Sequence, residues 1–210
     1  MYKELFESSL KHLKKLGFAI EEQRRSSVSK TDLKDIENRI DFPMPDGLRE
    51  YFLLMGDGYY FSAKKNDLIV TSWEQIYLND YAVSNKGFWQ QVDEDANGYV
   101  PDEIDDELLR QESERRKKWR PFYGFIGSEG RFCFDERDRV RLYETMEWPH
   151  FPESWDFVVA DSFQDFVSRW SEFCFVSKVE LIAFCEGKTG RFNWDVKNFP
   201  MVEGTFRGNL

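Results

Sequence analysis

The apolar positions of the first sixty residues recur at helical spacing between polar ones. Leu5, Leu10, Leu13 and Leu16, with lysines between them, predict an amphipathic helix over residues 2–16 that Gly17 ends, with His12 on its charged face. The polar, turn-rich EEQRRSSVSK predicts a linker or exposed loop. Thr31 is then placed to cap a helix carrying Leu33, Ile36 and Ile40. Pro43 and Pro45 stop that helix, because proline lacks an N–H and disfavours helical geometry in the residue before it. Pro45 suits the first turn of a second helix and Asp46 complements its positive end. Leu48, Tyr51, Phe52 and Met55 follow at i, i+3, i+4 and i+7, a stripe that has to be buried. Gly56 closes this helix and Gly58 turns the chain into Tyr59, Tyr60 and Phe61.

Shorter runs follow. Residues 59–61 and 68–70, separated by AKKND, predict a hairpin, and Trp73 and Ile76 a brief helical turn. Residues 122–126, 131–134 and 140–143, joined through GSEG and DERD, predict an antiparallel meander. A proline-flanked loop leads from there to an apolar lead-in at residues 157–159. Asp161, with Gln164 three residues on, is placed to cap a helix whose one face carries Phe163, Phe166, Val167, Trp170, Phe173 and Cys174, and which should cover the sheet. Residues 179–184 fit helix or strand equally, and beyond Gly187 no pattern is assignable.

The charges are segregated between the two halves. Residues 93–109 hold eight acids and no base, whereas residues 110–120 hold six bases against two acids. Asp106 with Arg110, Glu112 with Arg116 and Glu114 with Lys118 are i, i+4 pairs with the acid first, each contributing about a few tenths of a kcal/mol to a helix. With only Leu108, Leu109 and Trp119 as apolar contacts, that helix is expected to project into solvent.

Several of these pieces occur in an order that resembles the SUKH superfamily. They are a helix bearing Glu37, a proline break, the LREYFLLMGDG helix with its glycine turn into a strand, Trp73 in TSWEQI, the GFIGSEGRFCFD strand pair ending at Asp135, and VVADSFQDFVSRW. The resemblance spans residues 28–173, with a charged insertion over residues 82–118 and a tail after Phe175. It implies an α+β fold, a mostly antiparallel twisted sheet covered by helices. The expected organisation is an amphipathic helix and linker in residues 1–27, a SUKH-like domain in 28–175, and an extension in 176–210 packed on or beside it. The superfamily groups a fungal cell-wall regulator with many bacterial immunity proteins. The resemblance therefore implies a non-enzymatic protein that binds and neutralises a cognate toxin domain, or alternatively a regulatory scaffold for an endogenous partner.

Composition narrows the partner. The net charge of −10 argues against a nucleic-acid backbone, which clustered lysine and arginine would bind, and suits a protein partner with a basic surface, such as a nuclease. The amino-terminal residues lack the continuous apolar segment of a signal peptide, and no run approaches a membrane span, so a cytoplasmic protein touching no membrane is expected, as a monomer or weak homodimer. Cys133, Cys174 and Cys185 match no zinc spacing and read as free thiols. Aromatic residues make up 17% of the chain, enough for a bulky core with some left for a binding face.

Reactive constellations are sparse. Asp93, Asp95, Asn97 and Gly98 fit the start of a calcium loop, but Ile104 stands where a bidentate Glu is required and Pro101 follows where helix should begin. His12 and His150 are the only histidines, and neither neighbours a nucleophile in a recognisable turn. No cofactor, metal site or catalytic set is expected. The residues expected to meet a partner are Glu37, Tyr59, Tyr60, Trp73 and Asp135, with the acidic stretch represented by Asp93, Glu94, Asp95, Asp102, Glu103, Asp105 and Asp106.

Overall fold

The computed structural model describes residues 1–23, 26–40, 42–66, 68–71, 76–98, 104–123, 130–144, 149, 158–175 and 194. Helix α1 (Tyr2–Lys15) buries Tyr2, Phe6, Leu10 and Leu13, while Leu5 and Leu16 are only partly covered. His12, expected on the charged face, is buried as well. Gly17, at φ +85°, reverses the chain. The expected linker instead begins within strand β1 (Ala19–Gln23), which pairs antiparallel with β2 (Tyr60–Lys65). AIEEQ is almost wholly exposed and shows no apolar alternation, so its partner strand rather than its own pattern makes it extended.

Helix α2 (Lys30–Ile40) begins earlier than Thr31 would place it. Ser29 Oγ accepts from the Asp32 N–H at 3.2 Å, while the Asp32 carboxylate accepts from the Ser29 N–H and hydroxyl, both at 2.7 Å, a reciprocal cap on the first turn. Helix α3 (Asp46–Met55) follows the proline break and buries the predicted Leu48, Tyr51, Phe52 and Met55. The hairpin is present as β2 and β3 (Leu68–Thr71), so the first sheet has the order β1-β2-β3.

Two helices then span the charged stretch. Helix α4 (Leu78–Ala96) has no counterpart in the sequence reading, because its buried stripe mixes Leu78, Tyr81, Ala82, Phe88 and Val92 with Ser84, Asn85 and Asp95. Helix α5 (Asp106–Arg116) packs on α4 and does not project into solvent. It buries Leu109, Glu112, Ser113 and Arg116. The Arg116 guanidinium lies 4.6 Å from the centre of the Trp119 ring while its Nε donates to Glu112 at 2.6 Å, so an ion pair and an aromatic face let a charged helix pack inward. Of the expected pairs only Glu112–Arg116 forms. Arg110 meets Glu107 and Lys118 meets Glu136.

The second sheet has the order β4-β5-β6, from β4 (Arg120–Tyr123), β5 (Gly130–Phe134) and β6 (Val140–Glu144), all antiparallel. Every residue of the central β5 is buried because both faces are covered. Phe132 and Phe134 face helix α6 (Phe163–Glu172), with ring centres 4.9 Å from Phe166 and 5.9 Å from Phe163 respectively. The alternate residue Cys133 and the cross-strand Tyr143 join Phe88, Val92, Leu109 and Trp119 in a separate cluster under α4 and α5. Ser162, one residue after the expected cap, closes the α6 amino terminus by accepting from the Asp165 N–H at 3.1 Å.

The larger core joins α1, α3 and α6 with both sheets and is strongly aromatic, Phe6 stacking on Phe175 with ring centres 3.8 Å apart. Trp194 seats on the same core through its Nε1, which donates to Val159 O at 2.8 Å. The arrangement is α+β, with six helices and two three-stranded antiparallel sheets among the described residues. None of these helices is long and apolar enough to cross a membrane.

Candidate partner-binding surface

Glu37 lies one turn before the end of α2 and faces the proline break. Its carboxylate accepts from the Met44 N–H at 2.7 Å and from Arg49, with Nη1 at 3.3 Å and Nη2 closer. Desolvation pushes the carboxyl pKa up, but these bonds outweigh it and hold the group below the ordinary carboxylate range. The side chain is thereby committed to joining α2 to α3.

Tyr59 is buried, its ring edge-on to Phe6 at 4.9 Å and its hydroxyl 3.1 Å from Glu22 Oε2. Tyr60 is half-buried on β2, opposite Gln23. Trp73, Asp102 and Glu103 lie outside the described residues, as do His150 and Cys185.

Asp93, Glu94 and Asp95 share the last turn of α4, where helical backbone replaces the expected loop. Asp93 pairs with Lys117 Nζ at 2.6 Å and Glu94 is exposed. Asp95 turns inward, accepting from the Tyr143 hydroxyl and, at 2.9 Å, from Gln91 Nε2. Asp105 caps α5 by accepting from the Leu108 N–H at 2.9 Å, and Asp106 stands exposed in the first turn. Beside it, bonds from Arg110 and Gln111 hold the Glu107 carboxyl down to about 2.

Asp135, at the end of β5, is buried in an arginine nest. It accepts from the N–H groups of Arg137 and Arg139 at 2.9 and 3.0 Å, and from the Nε atoms of Arg139 and Arg141, both at 2.9 Å. Desolvation raises its pKa, and these bonds lower it by more.

The twelve expected residues therefore separate by environment. Glu94, Asp105 and Asp106 present carboxylates to solvent on adjoining elements, with Asp93 partly exposed beside them. Glu37, Tyr59, Asp95 and Asp135 are bonded within the fold.

Burial pushes the Cys133 thiol up to about 12, against the partial counter-effect of Arg131 and Arg116, so it is protonated and shielded. Among the described residues no three His, Cys, Asp or Glu side chains converge as metal ligands. The sequence reading missed a cationic depression lined by Arg39, Lys86, Lys117, Lys118 and Arg120. Its members come from separated segments, and only the exposed Trp89 on α4, half accessible to solvent, marks it locally.

The model of the SMI1 / KNR4 family (SUKH-1) matches residues 27–169, from just ahead of α2 into the last turns of α6. No curated protein and no solved structure matches the chain. Since the match takes in most of the chain, including α2, α3, both central strands and α6, this protein belongs to the SMI1/KNR4 (SUKH-1) family.

Proposed function

We propose that the protein is an immunity protein that binds a cognate toxin domain in the cytoplasm and blocks it by occupancy, without catalysis of its own. Membership in the SUKH-1 family across residues 27–169 carries this reading. The exposed carboxylates Glu94, Asp105 and Asp106 supply a physical route. An acidic rim accelerates encounter with a basic cleft such as that of a nuclease, while buried contacts set the lifetime of the complex.

Co-expression with the polypeptide encoded next to this gene tests the proposal, scored by cell survival and co-purification. Rescue with a tight complex supports it. A harmless neighbour that forms no complex turns the reading to a scaffold for an endogenous protein. Within a confirmed complex, Glu94→Lys with Asp106→Lys should slow association at low salt about tenfold and leave dissociation nearly unchanged. An unchanged on-rate removes the acidic rim from the account.

A further inference from the structure

Against a net charge of −10, one face of the molecule is cationic. A groove of about 610 Å³ runs between the carboxyl-terminal end of α2, the middle of α4 and the corner joining α5 to β4. Five cationic side chains line it and one carboxylate, Glu136, which is already paired with Lys118 at 3.1 Å. A second depression adjoins it, sharing Trp119 and Glu136 and adding Asp135 and four arginines, of which Arg139 and Arg141 pair with Asp135 and Arg115 with Glu112.

Local pairing leaves part of this charge uncompensated. Lys117 is held by Asp93 and Glu114, and Arg120 by Asp138. Arg39 and Lys86 on the groove, and Arg137 on the adjoining depression, are exposed and make no ion pair among the described residues. Between Lys86 and the α5–β4 corner stands Trp89, half exposed although it is the kind of side chain that folding usually covers. Asn85, buried beneath the same groove, uses its Nδ2 on Tyr81 O at 2.6 Å and Pro121 O at 2.8 Å, and its buried Oδ1 has no donor among the described residues. The site therefore offers unpaired cations and an accessible aromatic face.

From this combination we infer that the groove is a docking site for an acidic, aromatic-bearing segment of a partner protein. Carboxylates answer Arg39 and Lys86, and an aromatic side chain stacks on Trp89. The net charge of −10 opposes the continuous charge of a phosphodiester backbone, whereas a short peptide spaces its few carboxylates between aromatic side chains. The inference is independent of the toxin reading, since it concerns a cationic surface and an acidic ligand, the reverse of the acidic rim and its basic target.

Fluorescence anisotropy of a labelled peptide of alternating Glu and Phe tests it on the full chain. Parallel titrations use a Lys and Phe peptide of equal length and labelled oligothymidylate. Saturable, salt-sensitive binding of the Glu and Phe peptide is expected. Arg39→Glu with Lys86→Glu should weaken it at least tenfold, and Trp89→Ala several-fold. These side chains are exposed and unpaired, so both variants should keep the wild-type thermal midpoint, which separates loss of binding from loss of fold. Absence of saturable binding overturns the inference, and so does equal binding of the Lys and Phe peptide or indifference to the charge reversal. Tighter binding of oligothymidylate that the same reversal abolishes also overturns it, in favour of a nucleic-acid site.

Discussion

Arg49 of α3 reaches across the proline break to Glu37 of α2, and the same carboxylate takes the Met44 N–H at 2.7 Å, so one side chain sets how the two helices meet. Glu37→Ala strands the Met44 N–H and removes the acceptor of a half-buried guanidinium. It should cost about 1–3 kcal/mol in urea unfolding, with Glu37→Gln costing less because it keeps one acceptor. A loss within about 0.5 kcal/mol for the alanine variant would mean that the helix junction holds without this clamp.

The same bonds give the fold a direction of pH dependence. Glu37 and Asp135 both have carboxyl pKa values below their ordinary range in the folded chain. Above the ordinary range both states are ionised and the stabilisation is fully present. As pH falls through that range toward the folded values, the unfolded chain takes up protons first and stability is lost. The thermal midpoint should therefore drop on acidification below about pH 5, and less steeply for Glu37→Gln than for wild type. Parallel slopes would show that Glu37 carries no share of the acid lability.

The α2–break–α3 segment was legible because its signals are local: two prolines, a stripe at i, i+3, i+4 and i+7, and a terminal glycine. The α6 face was legible for the same reason, as were β5 and β6 between their turns. What escaped depends on partners distant in sequence. Strand β1 has no pattern of its own and exists through β2. Helix α4 hides its period because Asn85 and Asp95 occupy inward positions, each bonded to a residue more than thirty positions away, Pro121 and Tyr143. The acidic character of residues 93–106 was plain, yet which carboxylates face solvent is decided by tertiary bonds.

Gly56 is held by geometry rather than propensity. Its φ of +82° lies in the left-handed region, and a Cβ there would come within 2.4 Å of Ser26 O, the oxygen that accepts from the Asp57 N–H at 2.9 Å. Gly56→Ala must strain the backbone and part that bridge, at a cost above about 1 kcal/mol. Gly87 on α4 has open space around it, and Gly87→Ala should instead stabilise by up to about 1 kcal/mol through helix propensity. Opposite signs for the two variants in one urea series are the expected result, and a shared sign would contradict this account of Gly56.

Asp135 neutralises Arg141, which is buried on β6. Asp135→Asn removes the carboxylate charge that faces that guanidinium and should destabilise by about 3–5 kcal/mol. Adding Arg141→Met removes the stranded charge, so the double variant should recover a large part of the loss. A double-mutant cycle in urea measures the coupling, and strictly additive losses would show that the pair does not act as a unit.

Arg131 presents the opposite situation on the neighbouring strand. Its side chain is buried, yet Nε and Nη2 have no hydrogen-bond partner among the described residues, and the Phe88 ring lies 6.0 Å from the guanidinium carbon. Desolvation of an incompletely bonded guanidinium costs more than one aromatic contact returns. Arg131→Met keeps an unbranched chain of similar reach among Phe88, Cys133 and Tyr143, and needs no donor partners. The substitution should raise the urea midpoint, corresponding to a gain of about 1 kcal/mol. A loss of that size would mean that Arg131 is held in solution by an acceptor, and that the interior of this sheet depends on its charge.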